Sequence, residues 1–151
     1  MKKTLKYIPF IFLLFLLTLV DGCFLKKTPI SFWVLVCFCL YAKSDKAIII
    51  CAVLGLFRDA LFFSLPYFSL IYLYISVGCV WCAENFLGLD FKKVIVISFF
   101  SLLSYYLLCY AINAVSYAGF LHNDIVFALL GSAFLSFLSP VVYFLFKRLK
   151  L

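Results

Sequence analysis

Ala47-Ile48-Ile49-Ile50-Cys51-Ala52-Val53-Leu54-Gly55-Leu56-Phe57-Arg58-Asp59-Ala60-Leu61-Phe62-Phe63 is the stretch on which the reading of this chain turns. It has the length and apolarity of a membrane-spanning helix, yet it carries an adjacent arginine and aspartate. A charge at membrane depth costs about 2.5–3.5 kcal/mol on insertion scales, so an intramembrane ionisable residue marks a functional or assembly site by default. Within the same stretch Ala47, Cys51, Gly55 and Asp59 recur every four residues. That spacing lines one helix face with small side chains and ends it in a carboxylate.

Small residues let helices approach closely in lipid, which makes this face a packing seam. A second stripe, Ala128, Ser132 and Ser136, leads towards Pro140 and is the expected partner of the first. Two readings of the stripes stand side by side: they hold the bundle together, or they bind another protein.

Working outward, the composition gives the class. Hydrophobic residues make up 68% of the 151 and charged residues 13%, against roughly half and about a quarter in soluble domains. The expectation is an all-α, polytopic membrane protein, with no room for a soluble domain. The apolar runs predict a single transmembrane domain, residues 1–151, of about six helices. They cover roughly 7–25, 29–42, 47–63, 66–83, 94–116 and 125–146, the second being short for a crossing.

Charge then sets orientation. Of the 13 basic residues, all but Lys26, Lys27 and Arg58 fall on one side of such a bundle, and Lys and Arg gather on the cytoplasmic side. Both termini are therefore expected in the cytoplasm. The net charge of +7 reads as orientation and contact with anionic lipid, and nucleic acid is not needed to explain it. Lys2 and Lys3, the apolar run after them and Asp21-Gly22-Cys23 resemble a signal peptide. With five further spans following, an uncleaved first helix is the expectation.

On this topology Asp21, Arg58, Asp59, His122 and Asp124 share the outer side. Asp59 or Asp21 is expected to pair with Arg58 in a polar cluster; the plain alternative is that Arg58 snorkels to the headgroups and Asp59 marks a helix end. Cys79-Val80-Trp81-Cys82 has the spacing of a redox pair, but it falls at the cytoplasmic end of the fourth run. Buried cysteines there behave as small hydrophobes. His122 is the one histidine, too little for a metal site. No phosphate loop, triad or acid pair is present, so neither enzyme activity nor a cofactor is expected.

Pro29, then Gly55-Leu56-Phe57-Arg58-Asp59, then Ser64-Leu65-Pro66, and the basic ending Phe146-Lys147-Arg148-Leu149-Lys150 carry a resemblance. The chain is similar to the MreD family of the bacterial rod-shape system. The resemblance implies a non-enzymatic scaffold of the inner membrane that binds an MreC-like membrane protein and helps organise peptidoglycan synthesis. It acts there beside MreB filaments, a RodA-type glycosyltransferase and its penicillin-binding transpeptidase. Asp59, Arg58, Gly55, Cys51, Ala47, Asp21 and Pro66 are the residues expected to form the partner-binding surface or polar cluster. The alternative is a substrate-binding subunit of an energy-coupling-factor vitamin transporter, whose broad fold such proteins are thought to share.

Overall fold

In the computed structural model the described residues are 8–23, 29–61, 67–86, 90–116 and 122–149. They form six α-helices: Ile8–Cys23 (α1), Ile30–Ala42 (α2), Asp45–Leu61 (α3), Tyr67–Asn85 (α4), Phe91–Ser116 (α5) and His122–Leu149 (α6). Each falls on one of the apolar runs. Consecutive helices touch throughout, and touching helices joined by short links run antiparallel.

α2 stands at the centre and contacts all five other helices. Its residues from Ser31 to Leu40 are buried apart from Trp33 and Val34, which are half-buried. A helix that is apolar all round belongs in an interior, and ISFWVLVCFCLYA is such a sequence. This explains the short second run, because α2 is surrounded by protein along most of its length. Its 13 residues rise about 20 Å.

The outer surface is apolar. Phe12 and Leu16 on α1, Ile49, Val53 and Leu56 on α3, Leu70 and Tyr74 on α4, and Phe134, Phe137 and Val141 on α6 are all exposed. A soluble bundle places polar residues there. Several buried hydroxyls, by contrast, bond within their own helices: Thr18 to the Leu14 carbonyl at 2.8 Å, Ser136 to that of Ala133 at 2.8 Å and Ser139 to that of Leu135 at 3.0 Å. Local satisfaction of this kind suits a helix that meets no water. Three helical segments, Tyr67–Asn85, Phe91–Ile112 and Ala128–Arg148, are long and apolar enough to cross a membrane, and the chain has transmembrane character. Shorter apolar helices cover Pro9–Asp21 and Ile30–Ala42.

A tight link joins α2 to α3. Lys43 adopts a left-handed conformation (φ 46°, ψ 46°) and donates its N–H to the Cys39 carbonyl at 3.2 Å, while Ser44 Oγ accepts from Lys46 N at 3.2 Å at the start of α3. Glycine is the usual residue at a left-handed helix end because a Cβ is penalised there. Lys43→Gly is therefore expected to stabilise the fold by about 0.5–1 kcal/mol, the relief of strain exceeding the added chain entropy. Thermal unfolding in detergent measures it, and an unchanged or lower Tm would contradict the strain argument.

Candidate functional site

Two aspartates at the ends of helices bind the beginnings of the helices that follow them. The first amides of a helix have no intrahelical acceptor and are ordinarily met by an N-cap side chain. Pro29 precedes α2 and provides no side-chain cap. Asp21, at the end of α1, fills that role, its Oδ2 accepting from Ser31 N at 2.6 Å. Asp59, at the end of α3, does the same for α4: Oδ1 accepts from Phe68 N at 3.0 Å and Oδ2 from Ser69 N at 2.9 Å. In each hairpin the acceptor and the serine amide are ten residues apart. A carboxylate facing the positive end of a helix is favourable on both charge and hydrogen-bond grounds.

Arg58 lies beside this pair and turns inward. Its Nη1 donates to the Tyr72 hydroxyl at 3.0 Å, and its guanidinium sits 4.5 Å from the Phe68 ring centre and 6.0 Å from that of Tyr105. Contacts of this kind with aromatic faces stabilise a desolvated cation. Phe32 completes the surround, stacked on Tyr105 at 4.5 Å and tilted against Tyr72 at 4.8 Å. Arg58, Asp59 and Asp21 are all buried, at 7%, 5% and 1% exposure. Among the described residues, Asp21 Oδ1 and Ser31 Oγ are buried with no partner of hydrogen-bond geometry.

The cluster thus draws on five helices: Asp21 from α1, Ser31 and Phe32 from α2, Arg58 and Asp59 from α3, Phe68, Ser69 and Tyr72 from α4, and Tyr105 from α5. Arg58 does not snorkel outward, and Asp59 does more than mark a helix end. Asp21, Arg58 and Asp59 are all buried here, but the described bonds of Asp59 go to backbone amides and that of Arg58 to a tyrosine. The side chains of His122 and Asp124, and the whole of Pro66 with its turn, lie outside the described residues.

Ala47, Cys51 and Gly55 are buried with Asp59 along one face of α3, and α3 makes its most extensive contact with α4. A Cβ built on Gly55 would come within 2.5 Å of Ser69 Cα and 2.9 Å of Ser69 N. The seam is therefore filled from within the chain. Its partner is α4 and not the stripe on α6: among the described residues α3 and α6 make no contact, and α6 packs instead on α5 and α2. Ser132 and Ser136 are buried there, and Ser139 Oγ accepts from Trp33 Nε1 at 2.8 Å.

Cys79 and Cys82 are both free thiols, Cys79 lying 3.1 Å from Ser101 Oγ. Among the described residues Cys39 and Cys51 do meet, free and buried with sulfurs 3.4 Å apart. No group of metal-ligating side chains occurs among the described residues.

Tyr72, Phe68, Tyr105 and the two serine amides were not singled out from the sequence. The repeated Asp-to-Ser spacing was a signal available for the serines. A tyrosine hydroxyl in an apolar run also needs a partner when buried, which was the signal for Tyr72. No family model, no curated protein and no solved structure matches this chain.

Proposed function

We propose that this chain is a non-enzymatic, multi-pass scaffold of the bacterial cytoplasmic (inner) membrane, of the MreD type. In this reading six helices cross the bilayer with both termini in the cytoplasm. The protein binds an MreC-like partner and helps organise peptidoglycan synthesis beside MreB filaments, a RodA-type glycosyltransferase and its penicillin-binding transpeptidase.

The observation that carries the reading is how the buried polar groups are used. Asp21 and Asp59 lock the helix hairpins at one end. Antiparallel succession brings Lys43, Lys46, Lys92, Lys93, Lys147 and Arg148 to the other, as the positive-inside rule requires of a cytoplasmic face. What remains for a partner is a rigid bundle with apolar sides. On α3 the small-residue face is occupied by α4, so the face offered outward is Ile49, Val53 and Leu56, all exposed.

Affinity purification from native membranes in mild detergent, with mass spectrometry of everything recovered, tests the proposal. The expected result is an MreC-like protein together with cell-wall synthesis enzymes. Cross-linkers at Ile49, Val53 and Leu56 are expected to capture that partner, and those at Ala47 and Cys51 are not. One observation favours a second reading, a vitamin-binding transporter subunit: Asp21 Oδ1 and Ser31 Oγ, buried with no bond of hydrogen-bond geometry among the described residues, offer hydrogen-bonding capacity to a small polar ligand. Recovery of paired ATPases or a tightly bound vitamin would select it instead.

A further inference from the structure

Between α4 and α5 lies a groove of about 740 Å³. Both of its walls are helices long and apolar enough to cross a membrane, so the opening between them faces lipid. Tyr74, Gly78 and Trp81 form one wall, and Val96 and Phe100 the other. At one end the lining changes character: Lys92 and Lys93, from the first turn of α5, complete it. Lys93 also reaches Asp90 at 3.8 Å, but neither Asp90 nor Glu84 lines the groove.

We propose that this groove binds one anionic phospholipid, its phosphate against Lys92 and Lys93 and an acyl chain along the apolar walls towards Phe100. The inference rests on the transmembrane character of the chain and not on which side of the membrane the lysines face. Charge selects the ligand class. Basic residues at headgroup depth attract anionic lipid, and the positive end of the α5 dipole points the same way. The volume lies within the range of about 300–1,000 Å³ for small-molecule sites, and two lysines with no carboxylate in the lining suit a phosphate better than an apolar helix face.

Gly78 makes the inference testable without unfolding the protein. A Cβ added there meets nothing within 4 Å and Gly78 lines the groove, so Gly78→Trp is expected to place its ring in the groove. The experiment reconstitutes the full chain in nanodiscs of phosphatidylcholine mixed with phosphatidylglycerol, then counts by native mass spectrometry the lipids retained after detergent extraction. The wild type is expected to keep one phosphatidylglycerol, favoured about tenfold over phosphatidylcholine. Gly78→Trp is expected to lose it at unchanged helix content by circular dichroism, and Lys92→Gln with Lys93→Gln to bring the two lipids to near parity. Equal retention of both lipids by the wild type, or retention undiminished in Gly78→Trp, overturns the proposal. So does a photo-crosslinker at Cys82 that captures a protein helix and no lipid. A chain that fails to float with vesicles overturns the membrane reading as well, whereas one that floats without lipid preference overturns the groove alone.

Discussion

Gly55→Val is expected to abolish the folded protein. The added Cβ would meet Ser69 Cα at 2.5 Å, Ser69 N at 2.9 Å and the Phe68 carbonyl oxygen at 3.0 Å. All three are backbone atoms, so no rotamer change relieves the contact and α3 and α4 must separate. Overpacking a tight interface costs about 1–3 kcal/mol and occasionally more; here separation also pulls Ser69 N away from Asp59, so the loss is expected at or above about 3 kcal/mol. Gly55→Ala shares the clash and is expected to be nearly as damaging. Gly78→Ala is the control, neutral or slightly stabilising, because its Cβ meets open space and alanine is the better helix former by about 1 kcal/mol. Membrane-fraction abundance and protease resistance in detergent read all three. A Gly55→Val protein with wild-type resistance would refute the close α3–α4 contact.

The second large effect belongs to Asp59→Ala. Removing the carboxylate strips the acceptor from Phe68 N and Ser69 N, and a buried donor left unsatisfied costs about 1–3 kcal/mol. Two such donors predict a loss of about 2–5 kcal/mol. Asp59→Asn keeps one acceptor oxygen but loses the charge facing the α4 dipole, so its cost is expected to be about half. The order wild type, Asn, Ala in thermal stability is the diagnostic result. Hydrogen exchange adds a local readout: the Phe68 and Ser69 amides should lose protection first, while α6 amides change little. Equal stability of the Asn and Ala variants would show that the cap does not depend on hydrogen bonding.

The two predictions are linked, because Ser69 N is both one of the atoms a Gly55 side chain would meet, at 2.9 Å, and the donor to Asp59. Substitutions that share a partner are not additive, so the double variant should cost less than the sum of the singles. The scaffold reading connects to the same point. A partner that grips the outward face of α3 depends on the α3–α4 hairpin being held rigid, so loss of the cap is expected to weaken partner recovery even where the protein remains in the membrane.

How far the sequence could be read depends on the residue. Arg58-Asp59 stood out because charge in an apolar run is costly wherever the helix packs, and the structure buries both residues. The Ala47, Cys51, Gly55 seam was legible for a similar reason, since four-residue spacing gathers small side chains on one face whatever lies opposite. What lies opposite was not legible: the stripe on α6 was the expected partner, and four-residue spacing on one helix says nothing of which other helix docks against it. The function of Asp59 was hidden too. A carboxylate can bond a guanidinium or a backbone amide, and only the position of the α4 N-terminus decides between them.

By itself, then, the sequence determined the class and the ingredients: a six-helix, apolar, all-α chain with buried charge at one point and basic residues at the helix ends. These follow from hydropathy, period and charge, which are properties of single segments. The tertiary structure alone decided that α2 is the central helix, that α3 docks on α4, that two aspartates cap the helices that follow them, and that a groove with two lysines opens between α4 and α5. Each of these is a relation between segments distant in the chain. In lipid, where apolar faces have no hydrophobic preference for one another, close packing and hydrogen bonding select the partner.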